Sequence, residues 1–232
     1  MADYYTLIPA LPWLAPLDRL KELPCSTLKL EQRLSMLTPS DAEQLQRALR
    51  LCQRERLGDE TLSDSDEIRL WEEELAAIED PALAEVIADY LQSRTLVAAL
   101  RYRLAGQQDG SNFKGFGPLV WLIRRNWQQP LLGLERRFPW LSRAKDALEA
   151  NQSRELEMLL LERLWHRLTR LEQEQGFGFA AVAGYRLRWA LAEYRLRWSA
   201  TSAQEYFDRW VSGALARFDA ETGLSMGEGS KA

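Results

Sequence analysis

The chain has 232 residues, 46% of them apolar, and 30 basic against 34 acidic side chains leave a formal net charge of −4. This is enough apolar material for a sizeable core, and the balance lacks the basic footprint with which general nucleic-acid binders displace counterions from phosphates. Cys25 and Cys52 are too few for a disulfide framework or a metal centre and fit a reducing compartment.

The opening residues, Met1 to Tyr5, carry neither a basic leader nor an apolar signal core. No apolar run reaches the ~20 residues that span a bilayer. The expectation is a cytoplasmic chain.

From Tyr4 to Pro24, Pro9, Pro12, Pro16 and Pro24 interrupt a series of apolar residues that includes Leu7, Leu11, Trp13 and Leu17. Proline at that density opposes a regular helix, yet the apolar residues need cover. The reading is an extended segment laid over the body, or a strand offered to a partner. Helix signals follow. Ser26 or Thr27 caps a short helix to about Leu37, and Thr38-Pro39 opens another to about Leu57, with proline at the first helical position where its missing N–H is not needed.

Gly58 to Asp66 reads as a polar loop. Ile68, Trp71, Leu75 and Ile78 then recur at helical spacing, and Asp80-Pro81 starts a helix to about Leu104. Gly106 to Gly117 reads as a flexible loop and a hinge within one helical domain, residues 1–222. Pro118 then opens a helix over Leu119–Gln128. Pro130 and Pro139 divide the next stretch, and Ser153 caps a long helix to about Gln175. Another helix covers Phe179–Ser199, Ser202 opens a last one, and residues 223–232 read as a disordered tail. The fold class is all-α: a multi-helix bundle with a short extended N-terminal segment.

Charge is unevenly distributed. Arg54 to Asp80 holds eleven acidic against three basic side chains, whereas Arg94 to Lys145 holds ten basic against two acidic ones. The helix from Phe179 contains one pentapeptide twice, Tyr185-Arg-Leu-Arg-Trp189 and Tyr194-Arg-Leu-Arg-Trp198. At 100° per residue, a nine-residue offset places the copies on opposite faces. One apolar stripe runs through Val182, Tyr185 and Trp189, and another through Leu187, Leu191, Tyr194 and Trp198. Such a helix is expected between two layers.

Groups that could carry chemistry are few. The single histidine, His166, has no cysteine or second histidine at ligand spacing and reads as a helix-surface or core-edge residue. Asp64, Asp66 and Glu67 lack the glycine and distal glutamate of a calcium loop. Glu72-Glu73-Glu74 reads as a solvated face, and the Gly110–Gly117 loop has neither Walker nor Rossmann spacing. No catalytic residue, metal ligand or cofactor is expected. The arginine–tryptophan groups, including Arg124, Arg125, Trp127, Arg188 and Arg195, suit core packing with internal ion pairs or a protein partner, in preference to single-stranded nucleic acid. Partner-interface residues are expected at Tyr4, Tyr5, Leu11 and Trp13, and along a basic seam of Arg188 with Arg195. The alternative is a small-ligand-binding protein or enzyme with an aromatic pocket of Trp121, Trp127 and Trp140 beside Gly115.

Three blocks of sequence, Tyr4-Tyr-Thr-Leu-Ile-Pro-Ala-Leu-Pro12, Gly117-Pro-Leu-Val120 with Trp127-Gln-Gln-Pro-Leu-Leu-Gly-Leu134 and Phe138-Pro-Trp140, and Phe177-Gly-Phe-Ala-Ala-Val-Ala-Gly-Tyr-Arg-Leu-Arg-Trp189, resemble an uncharacterised bacterial family associated with V/A-type rotary ATPases. The resemblance implies a non-catalytic coupling piece. It would stand in the place of the helical component of V-type ATPases that joins the central stalk to the membrane ring, with a fold distantly like it. Its partners would be the other proteins of the ATPase, with membrane contact only through them.

Overall fold

The computed structural model describes residues 4–52 and 63–198. The chain divides into two units, Met1–Leu191 and Ala192–Ala232, and the 106–117 loop lies inside the first. Of the second unit, residues 192–198 are described and are helical. The expected helix end at Leu57, the Ser202 helix and the 223–232 tail lie outside the described residues.

The first unit is helical, with no strand among the described residues. Its elements are α1 (Leu7–Ala10), a 3-10 turn (Leu17–Arg19), α2 (Thr27–Leu34), α3 (Pro39–Cys52), α4 (Asp64–Ala76), α5 (Pro81–Leu104), α6 (Leu119–Arg125), α7 (Leu141–Glu149) and α8 (Ser153–Gln175). A last helix, α9, covers residues 179–191. Among the described residues no helix is long and apolar enough to cross a membrane.

The N-terminal expectation needs correction. The segment is not extended throughout, because α1 forms one short turn. Pro9 is tolerated there since the first-turn N–H groups have no intrahelical acceptor. Extended backbone follows at Leu11 and Pro16.

Local chemistry sets several helix starts. Ser26 accepts from the Lys29 N–H at 3.4 Å, Thr38 Oγ1 from the Asp41 N–H at 3.2 Å, and Asp80 Oδ1 from the Leu83 N–H at 2.9 Å. These caps satisfy donors that the helix itself cannot. α8 differs from expectation. Ser153 is its first residue, and the residue before it, Gln152, makes no side-chain cap.

α5 is the hub, packing against α3, α4, α6, α7 and α8. Its buried residues, among them Leu83, Ile87, Tyr90, Leu91, Leu96 and Leu100, lie all round the helix rather than along one stripe. A helix covered on every side sits at the centre of a bundle. The turn into α5 is held from α3, where the buried Gln44 accepts the Glu79 and Asp80 N–H groups, both at 2.9 Å. Glu74 does not lie on a solvated face. Arg47 and Arg50 of α3 approach its carboxylate at 3.3 and 2.8 Å and tie α4 to α3.

The 106–117 loop is fastened rather than free. Phe113 and Phe116 are buried, Trp127 Nε1 donates to the Gln107 carbonyl at 2.9 Å, and the Phe116 N–H donates to Thr95 Oγ1 at 2.9 Å. Phe113 also packs on Trp127 and Tyr102. α9 is covered on both faces, as its stripes predict: Val182, Tyr185, Leu187, Trp189 and Leu191 are all buried.

Candidate partner-docking site

The N-terminal segment lies along α8 and α9 and is held by four hydrogen bonds, two of them to the start of α3. The Tyr4 N–H donates to the Phe177 carbonyl at 2.8 Å. The Tyr4 hydroxyl donates to the Asp41 carboxylate and accepts the Thr38 N–H at 3.1 Å, bridging the start of α3. Further along, the Tyr185 hydroxyl donates to the Pro12 carbonyl at 2.8 Å. Burial pushes both phenols up in pKa, and the bond to Asp41 adds to the shift at Tyr4.

Between this segment and the α8–α9 pair lies an open cavity of about 330 Å³, bordered by Ile8, Leu11, Trp13, Glu172, Tyr185 and Arg188 among others. At its rim, Trp13 is 77% exposed. Tyr5, 63% exposed, packs on the exposed Phe177 with ring centroids 4.9 Å apart. The ridge is therefore aromatic and solvent-facing, on a backbone held at both ends.

The cavity's inner wall is charged. Arg188 of α9 stacks over the Trp165 ring at 4.7 Å and donates to Thr169 Oγ1 at 3.0 Å. Its Nε lies 3.1 Å from Glu172 Oε1, an ion pair whose alignment falls short of a hydrogen bond. Burial pushes the Glu172 carboxyl up to about 7 although Arg188 pulls the other way, and burial also lowers the Arg188 pKa. With each charge desolvated and only partly satisfied, the pair is no large source of stability.

The expected interface residues separate into groups. Leu11, Trp13 and Arg188 border this one cavity, and Tyr5 stands on the same N-terminal segment. Tyr4 is not a surface residue: at 6% exposure its ring is core and its hydroxyl is committed to α3. Arg188 is buried, so the expected basic surface seam is absent at that position. Arg195 is half-buried and belongs to the second unit.

Sequence reasoning missed Glu172, although a signal was present: Leu161, Trp165 and Leu168 place it on the buried stripe of α8. The tryptophans proposed for an aromatic pocket do not meet in one. Trp121 is 62% exposed under Arg125, whereas Trp127 and Trp140 belong to the core.

Tyr4→Phe tests the structural role. It removes one donor and one acceptor from a partly buried bridge and should lower unfolding stability by about 1–3 kcal/mol in urea titrations. A loss near zero would return Tyr4 to the surface class.

His166 is exposed on α8, Cys25 is half-buried, and the buried Cys52 thiol is pushed up to about 12 by desolvation. Among the described residues no group of three or more histidine, cysteine, aspartate or glutamate side chains could hold a metal ion. Neither a family model, nor a curated protein, nor a solved structure matches the chain.

Proposed function

We propose that the chain is a non-catalytic docking component of a bacterial V/A-type ATPase, peripheral to the membrane and joined to neighbouring proteins of the complex, in the manner of the piece that links stalk to ring. The assignment to that complex rests on the resemblance of the three sequence blocks. The observation that carries docking is Trp13, a large aromatic left 77% exposed on a segment that is otherwise fixed. Tryptophan is enriched among the residues that dominate protein interfaces, and a pre-ordered segment loses little entropy when it binds. The adjoining cavity would receive an apolar side chain of the partner beside Leu11.

Tagged protein isolated from its native host should bring down V/A-type ATPase subunits identified by mass spectrometry. Trp13→Ala should reduce that recovery by at least about tenfold, as loss of a central aromatic anchor worth ~2 kcal/mol does, with the melting temperature unchanged. Recovery of no ATPase subunit, with the complex present in the same extract, would remove the reading. Equal recovery by wild type and Trp13→Ala would place docking elsewhere.

A further inference from the structure

A second cavity, of about 440 Å³, opens between α4, α5 and the end of the 106–117 loop. Its walls follow from helical spacing. On α4, Asp64, Glu67, Ile68 and Trp71 fall on one face; on α5, Tyr90, Arg94, Ala98 and Arg101 do the same. Lys114 and Gly115 close one end. The loop is seated tightly: a Cβ at Gly115 would stand 2.4 Å from Thr95 Cγ2, and the Phe116 N–H is bound to Thr95 Oγ1. That seating brings Lys114 to the same cleft as Arg94 and Arg101.

The charges of the cleft are not balanced in the same way on both sides. Asp64 accepts the Tyr102 hydroxyl at 2.6 Å, and Glu67 lies 4.0 Å from Arg94, which also stacks over Trp71 at 4.5 Å. Arg101 and Lys114 have no acidic partner among the described residues. Two exposed cations thus face a cleft in which Asp64 already holds a hydrogen bond and Glu67 is offset by Arg94, and Ile68, Val97 and Ala98 supply an apolar wall beside them. The volume is that of small-molecule sites, which combine apolar lining with a few placed polar groups.

We propose that this cleft binds a small organic oxyanion carried on a planar apolar body, with Arg101 and Lys114 taking the charge and the α4–α5 wall taking the plane. Arg101 offers a forked donor for two oxygens and Lys114 a point charge. The site is independent of the N-terminal ridge, so either can fail alone.

The experiment is isothermal titration calorimetry on the full chain with phenyl phosphate and benzoate as probes, and inorganic phosphate and phenol as their separate halves. At least one aryl anion should bind saturably, about tenfold more tightly than either half, a difference of about 1.4 kcal/mol. Arg101→Gln and Lys114→Gln should each weaken it about fivefold or more. Arg143→Gln, at an exposed position of α7 outside the cleft, should leave it unchanged. Melting temperatures of all three should match wild type, since these side chains are exposed. Absence of saturable binding by both aryl anions overturns the proposal. So does binding by the Arg101 and Lys114 variants equal to wild type.

Discussion

Trp189→Ala is expected to lower unfolding stability by about 3–5 kcal/mol, the usual effect of truncating a buried aromatic. Trp189 is fully buried on α9, at 0% exposure, and its ring packs with Tyr185 at 6.2 Å between centroids. Deleting the indole forfeits its transfer free energy and leaves a cavity that neighbouring helices close only in part. Against a typical total of about 5–15 kcal/mol, such a loss takes a large fraction of the stability. Trp189→Phe separates packing from polarity. The indole Nε1 is buried without a hydrogen-bond partner, so phenylalanine removes an unsatisfied donor along with some volume, and its cost should be well below that of alanine. Urea titration of the three proteins checks both statements. A Trp189→Ala midpoint equal to wild type would contradict the position of α9 inside the bundle.

Glu172 should give the protein a pH-dependent stability that Glu172→Gln abolishes. Its carboxyl moves from an ordinary value of 4.5 to about 7, chiefly through burial and against the pull of Arg188. A folded state that holds the proton more tightly than the unfolded chain is favoured by protonation. The stability so supplied is fully present below about 4.5 and is lost as pH rises through about 7. At about 1.36 kcal/mol per pKa unit the effect reaches about 3 kcal/mol at most, reduced by the carboxylate's remaining contact with water. Glutamine resembles the protonated carboxyl. Glu172→Gln should therefore match wild type at pH 5 and exceed it at pH 8, measured as denaturation midpoints of both proteins at both pH values. A wild type that gains stability over Glu172→Gln as pH rises would mean that the ion pair with Arg188 outweighs burial.

These two residues lie at different depths of sequence legibility. Trp189 was readable, because helical spacing alone put it on a stripe with Val182 and Tyr185. Glu172 was not singled out, because its ion-pair partner, Arg188, arrives only through the packing of α8 on α9. Of the docking ridge, Trp13 and Leu11 were legible as apolar residues among prolines that no regular helix could hide. Tyr4 looked the same in sequence and is buried, since its hydroxyl reaches a cap 34 residues away at Thr38. The α4–α5 cleft was located only by its loop, Gly115. The tryptophans nearest in sequence turned elsewhere, and Trp71 and Arg94 supplied the wall instead.

By itself the sequence determined the helical class and many helix starts. A cap such as Ser26, Thr38 or Asp80 acts on an N–H three residues away, within reach of local chemistry. It also determined which faces of α9 needed cover, through a period of 3.6. Tertiary structure alone decided which of two identical pentapeptides is the more deeply buried: Tyr185 and Trp189 are core, whereas Tyr194 and Trp198 are half-buried. It likewise decided that Arg188 would be an inner wall and Trp13 a rim. Burial and charge pairing depend on which distant segments arrive at a residue, and five letters repeated nine positions later carry no record of that.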